Sequence, residues 1–173
     1  MRTIDLDSIK EIITKKEPNE HLHKSLSVEE KFIAIEQILK NYKEMKPKIP
    51  KLREEKIEKQ IQLARHSNEK DFSKAMDNLN RRVEEIRKLS DEDIYILYMI
   101  EECSYRYITI CVEIDQIGQN LALLRDKIIK EETHDGIVKT GQEIDELSRK
   151  LDEKIRDSHV AQIMSYFFET IYL

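Results

Sequence analysis

A single stripe of apolar residues limits what this chain can fold into more than any other feature of its sequence. From Ile96 to Ile128 the apolar positions step alternately by four and three residues, without a gap: Ile96, Ile100, Cys103, Tyr107, Ile110, Ile114, Ile117, Leu121, Leu124 and Ile128. An average spacing of about 3.5 residues keeps such side chains on one side of an α-helix and is typical of helices that supercoil around a neighbour. The sequence therefore predicts a long central helix, from Ser90 to about Glu132, that packs lengthwise against another helix.

A capping motif and two prolines mark the helix that lies nearer the start of the chain. Ser27 and Glu30 in "SVEE" fit the reciprocal capping box, so we expect a helix that begins there and runs to about Met45. Pro47 and Pro50 predict a corner after it, because proline inside a helix removes backbone hydrogen bonds. Pro50 suits a position near the start of the following helix.

The remaining apolar patterns predict further helices over residues 4–15, 51–89 and 137–171. We expect residues 51–89 to form one long helix with a kink near Ser67, or two collinear helices. Gly136 is expected to end the central helix in the left-handed conformation.

These elements predict an all-α fold: an elongated, antiparallel, coiled-coil-like bundle of about four main helices plus a short N-terminal helix. Residues 1–26 would hold the short helix and a linker, and residues 27–173 a single bundle domain. The central helix is apolar nearly all round between Ile94 and Ile100, so its first turns have to be covered on several sides. Apolar residues beside the stripe, such as Tyr105, Ile108 and Val112, predict that it has more than one neighbour along its length.

Composition agrees with long helices and favours a cytoplasmic protein. Charged residues make up 38% of the chain, which has three glycines, three prolines and no tryptophan. No apolar run approaches the roughly 20 residues that span a bilayer, and the first residues do not resemble a secretory signal. Cys103 and Cys111 lie about 12 Å apart on the central helix, too far for a disulfide, and we expect both to be buried.

Charge is distributed unevenly between the two halves of the chain. Residues 1–90 carry 21 basic and 17 acidic side chains, a balance of +4, whereas residues 91–173 carry 9 and 18, a balance of −9. The total of −5 argues against a general nucleic-acid binder, which would be basic overall. We expect the two halves to pack against each other as antiparallel helices.

Two segments are candidate partner-binding surfaces. Residues 40–59 hold eight basic and four acidic side chains, and a solvated helix corner is the simplest interpretation. An acidic protein partner is the first alternative and nucleic acid the second; the candidate contacts are Lys46, Lys48, Lys51 and Arg53.

The second segment is the aromatic C-terminal end of the last helix. Tyr166, Phe168 and Tyr172 are candidate partner contacts, because aromatic residues often anchor interfaces. Packing of all these aromatics in the core is an interpretation at least as good.

No sequence pattern predicts a catalytic residue, a cofactor or a metal ligand. A di-metal helical bundle needs two Glu-x-x-His motifs, and this chain has one, at Glu131–His134. We therefore expect a non-enzymatic adaptor, regulator or small inhibitory protein that binds a protein partner or itself. The alternative is a regulator that senses a metal or small ligand through carboxylates of the central helix, such as Glu113 and Asp115.

Overall fold

The computed structural model describes residues 4–15 and 27–172, without the side chains of residues 14 and 15. Within these ranges the chain forms α-helices and no strands, which confirms the predicted all-α fold. The helices are α1 (Leu6–Lys15), α2 (Val28–Met45), α3 (Ile49–Arg65), α4 (Phe72–Lys88), α5 (Asp91–Lys130) and α6 (His134–Tyr172), with a 3-10 turn over Lys46–Lys48. The linker predicted after the first helix lies outside the described residues.

The predicted central helix is α5, and it forms a long antiparallel hairpin with α6. A capping box starts it: the backbone N–H of Asp93 donates to Ser90 Oγ at 3.1 Å, and that of Ser90 donates to the Asp93 carboxylate at 3.4 Å. Cys103, Ile110 and Leu121 of the apolar stripe are buried against α6. At 1.5 Å per residue, α5 is about 60 Å long.

The hydrophobic core lies at the end of the hairpin where α5 begins and α6 ends. Ile94, Tyr95, Ile96 and Met99 of α5 are buried there, which confirms that the first turns of this helix are covered on several sides. Every other described helix contributes to the same cluster. The contributing residues are Ile9 and Ile13 of α1; Ala34, Ile35 and Ile38 of α2; Ile49 of α3; Ile86 of α4; and Val160, Ile163, Met164, Phe167 and Phe168 of α6. Beyond Cys103, α5 is held mainly by α6.

The interpretation of residues 51–89 as one kinked helix or two collinear helices is wrong. The chain reverses at residues 66–71, and α3 and α4 pack against each other as a second hairpin. Asp71 caps α4 by accepting a hydrogen bond from the backbone N–H of Lys74 at 3.2 Å. The same apolar spacing continues on both sides of the turn, so spacing alone does not distinguish a hairpin from a straight helix.

Arg53 joins this second hairpin to the start of α5. Its Nη1 donates to the backbone carbonyls of Ile86 and Leu89, each at 2.8 Å, and its Nη2 pairs with Asp91 at 2.9 Å. The Ile86 carbonyl also accepts from the backbone N–H of Leu89 at 3.2 Å, so the guanidinium group adds a second donor there and supplies one to the Leu89 carbonyl beyond the end of α4.

Gly136 belongs to the first turn of α6 and does not end α5, so the prediction of a left-handed glycine there is wrong. Its backbone N–H donates to Thr133 Oγ1 at 3.1 Å. A side chain at this position would collide with Glu131 and Thr133. The glycine leaves room for the Glu131 carboxylate and Thr133 Oγ1 at the hairpin turn, and its backbone is not in the left-handed conformation.

Candidate partner-binding surface

The outer face of α5 carries a run of three exposed apolar residues, and exposed Leu123 lies on the same side about 16 Å further along. Tyr105, Ile108 and Val112 follow one another at steps of three and four, about half a helical turn away from the buried residues Cys103 and Ile110. They are 71%, 62% and 52% exposed. We call these three residues the α5 stripe. The prediction that another helix covers them is wrong for the described part of the chain.

The α5 stripe continues the face through which α5 packs on α3. Ile94 and Tyr98 lie on that face and, with α3 residues from Leu52 to Gln60, line a groove of about 280 Å³. The groove ends at Glu102, and the α5 stripe begins within one helical turn of it. The apolar face of α5 is thus covered by α3 near the start of the helix and is exposed further along.

Two ion pairs show that α3 and α5 run in the same direction. Arg53 pairs with Asp91 near the start of both helices, and Lys56 Nζ lies 3.9 Å from Glu101 Oε1 further along. The basic and acidic halves of the chain therefore do contact each other. For this pair of helices, however, the expected antiparallel arrangement is wrong.

The charged residues on the same side of α5 are acidic at both ends of the stripe. Glu101 precedes it and Asp115 follows it, and Asp115 accepts a hydrogen bond from Gln119 Nε2 at 3.0 Å. Over residues 98–119, α5 carries four acidic side chains and one basic side chain, Arg106. Lys56 of α3 pairs with Glu101 and Lys154 of α6 pairs with Glu113, so the α5 stripe is an apolar patch in a weakly negative setting.

The carboxylates of α5 do not converge on a common point. Glu113 pairs with Lys154 Nζ of α6 at 2.6 Å, and this hydrogen bond, with the charge of Glu113, raises the pKa of Lys154. Among the described residues, no three His, Cys, Asp or Glu side chains come close enough together to hold a metal ion. The alternative of a ligand-sensing carboxylate site thus gains no support from the geometry.

The C-terminal aromatic residues lie largely in the core. Phe168 is 0% exposed and makes edge-on ring contacts with Tyr95 and Phe167, at centroid distances of 5.7 and 5.0 Å. Tyr166 is half-buried, and Tyr172, also half-buried, packs against the core cluster. Phe168 is therefore a core residue, as the second interpretation predicts, and it is not available to a partner in this fold. Contacts by Tyr166 and Tyr172 stay a prediction.

The basic corner is exposed but partly neutralised within the chain. Lys46, Lys48 and Lys51 lie on the surface at the 3-10 turn and the start of α3, and Lys51 Nζ is 3.6 Å from Glu55. Arg53, the fourth candidate in this segment, is engaged with α4 and α5. The role of the three lysines in binding an acidic partner stays a prediction.

A second groove lies between α2 and α5 and contains a cysteine. It holds about 250 Å³ and is lined by residues that include Asn41, Tyr98 and Cys103. Burial raises the pKa of the Cys103 thiol to about 12. Because the thiolate is the nucleophile, this side chain is unreactive at neutral pH, as its place on the buried seam predicts.

No protein-family model, curated protein or solved structure matches this chain. In the ranges that the structure covers, no helix is long and apolar enough to cross a membrane. Any functional conclusion therefore depends on the geometry of the α5 stripe.

The sequence did contain a signal for the α5 stripe, since Tyr105, Ile108 and Val112 lie opposite the seam and between two acidic residues. From the sequence alone, the same pattern equally predicts packing against a further helix of the same chain.

Proposed function

We propose that this protein is a non-enzymatic protein–protein interaction module that binds a helix of a partner protein along the α5 stripe. One observation carries the proposal: three large apolar side chains at helical spacing are more than half exposed on the open side of a long helix. Contiguous exposed apolar residues mark interaction sites, and rows at this spacing are a recurring way in which proteins bind a helix.

The amount of exposed surface supports an interaction role. The chain exposes 12273 Å², whereas a compact monomer of 20.7 kDa exposes about 8,900 Å². A long, thin hairpin presents its surface to a partner without unfolding.

A pull-down from the protein's native cell extract tests the proposal. The full chain is compared with the double variant Ile108→Ser, Val112→Ser, which removes most of the apolar area of the α5 stripe. Burying one such side chain contributes about 1.5–3 kcal/mol, so losing two contacts at an interface reduces affinity at least about tenfold. We expect a partner that the wild-type chain retains to be lost from this variant.

The matched control is Leu123→Ser, Ile129→Ser on the same helix. These residues are 67% and 80% exposed, so the control removes apolar surface of the same kind at a distance from the α5 stripe. Unchanged circular dichroism in both variants establishes that the helices are intact. Equal retention of every protein by the wild-type chain and the Ile108→Ser, Val112→Ser variant would contradict the proposal.

A further inference from the structure

We infer that the partner presents a basic amphipathic helix to the α5 stripe; this inference rests on the proposed function and specifies the chemistry of the occupant. Two independent features of the surface lead to it. The first is the length and spacing of the apolar row, and the second is the sign of the charges at its ends.

The spacing fixes the apolar side of the partner. Glu101 and Asp115 are 14 residues apart, which corresponds to about 21 Å along α5. A partner helix of about four turns covers this distance. Apolar residues at positions i, i+3 and i+7, or the reverse order, would face Tyr105, Ile108 and Val112.

The charges fix the polar residues of the partner. Glu101 and Asp115 are both exposed and lie at opposite ends of the α5 stripe on the same face, and Lys56 Nζ, 3.9 Å from Glu101, offsets part of the charge at that end. Lysine or arginine near each end of a partner helix would complement them, and complementary charge governs both the rate of encounter and the choice of partner. The whole chain carries a net charge of −5, so the wider field also attracts a basic segment.

The same charges argue against a second copy of the chain as the occupant. In an antiparallel pairing of two α5 stripes centred on Ile108, Glu101 of one copy would face Asp115 of the other. In a parallel pairing each carboxylate would face its own equivalent. Like charges opposite each other discriminate against both arrangements. We therefore expect the free chain to be monomeric in solution.

Two synthetic peptides of about 18 residues test the inference, since shorter helices are marginal in water. Both carry leucine at i, i+3 and i+7 on one face; one has lysine and the other glutamate at the flanking positions. Binding to the full chain is measured by fluorescence anisotropy at low and high salt. We expect the lysine peptide to bind at least about tenfold more tightly than the glutamate peptide, and added salt to reduce this difference.

Three variants separate the apolar contribution to peptide binding from the contribution of charge. Ile108→Ser should weaken the lysine peptide about tenfold, because the apolar contact is lost. Glu101→Lys, Asp115→Lys should reverse the preference between the two peptides. The control Asp145→Lys, Asp152→Lys changes the net charge by the same amount on exposed positions of α6 and should keep the original preference.

Several results would overturn the inference, and each differs from failure of the proposed function. If both peptides bind equally and Ile108→Ser weakens both, the charge argument fails while an apolar interaction surface stands. If neither peptide binds, or if Ile108→Ser has no effect on the lysine peptide, the basic helix is not the occupant, and the pull-down decides the proposed function separately. Light scattering that shows a dimer, and a monomer after Ile108→Ser, would identify a second copy instead.

Discussion

At the scale of single residues, Arg53 connects parts of the chain that are far apart in sequence. Its contacts to the carbonyls of Ile86 and Leu89 are charge-assisted hydrogen bonds, which are stronger than those between neutral groups. Replacing Arg53 by alanine removes two hydrogen bonds from a charged donor, each contributing about 1.5 kcal/mol, so we expect the free energy of unfolding to fall by about 3 kcal/mol, although Ile86 keeps the backbone N–H of Leu89. Urea denaturation of the full chain measures the change.

Asp91→Ala is the matched comparison for Arg53→Ala. It breaks the ion pair but leaves the two carbonyl contacts in place, and the Asp91 side chain is 63% exposed. An exposed ion pair contributes less than about 1 kcal/mol. Equal losses in the two variants would mean that the ion pair, and not the bonds to α4, is what Arg53 contributes.

Cys103 makes stability depend on pH in the alkaline range. Its thiol has a pKa of about 12 in the folded protein, against 9.0 for an unperturbed thiol, because burial disfavours the charged form. The unfolded chain therefore releases this proton first, and the stability that the neutral thiol provides is present below pH 9 and is lost as the pH rises from there towards 12. Between pH 8 and pH 10, ionisation of this one thiol lowers the free energy of unfolding by about 1.4 kcal/mol.

Cys103→Ala and Cys103→Ser both lack the thiol. Between pH 8 and pH 10, the fall in the free energy of unfolding should therefore be about 1.4 kcal/mol smaller in each variant than in the wild-type chain. The two variants will differ from each other in absolute stability, because alanine and serine pack differently. Urea denaturation at the two pH values gives the comparison. Parallel pH profiles for all three proteins would show that the Cys103 thiol ionises equally readily in the folded and unfolded chains.

At the scale of elements, local signals in the sequence were sufficient to find most helices. The starts of α2 and α5 were predicted from capping residues, and the length of α5 from its uninterrupted stripe, because these signals act within a few residues. The α3–α4 hairpin was missed since both interpretations satisfy the same apolar spacing. The exposure of the α5 stripe was missed for a related reason: an apolar side chain has the same sequence signal whether its neighbour belongs to this chain or to a partner.

The two ends of the α5–α6 hairpin should differ in local stability. The core cluster includes α5 residues up to Cys103 and α6 residues from Val160 onward, whereas the intervening part of each helix is supported mainly by the other. Local opening is easier where fewer apolar contacts are lost. We expect backbone amides near Ile96 and Phe167 to exchange with solvent at least about tenfold more slowly than those near Leu121 and Leu147.

Hydrogen exchange followed by mass spectrometry on the full chain measures this difference. Ile108→Ser serves as the control, since a residue 62% exposed contributes little to packing and should leave both rates unchanged. Uniform protection along the hairpin would mean that its outer part opens only with the whole protein.

At the scale of the whole molecule, the position of the core at one end of the hairpin requires an extended shape. A compact chain of 173 residues has a radius of gyration of about 16 Å, which for a sphere means a diameter of about 40 Å. Helix α5 alone is about 60 Å long. We therefore expect small-angle X-ray scattering to give a maximum dimension of at least about 60 Å and a radius of gyration above about 16 Å, with a mass near the 20.7 kDa of a monomer. A maximum dimension near 40 Å would mean that the hairpin folds back on the core, and the α5 stripe would then be covered by the chain itself and closed to any partner.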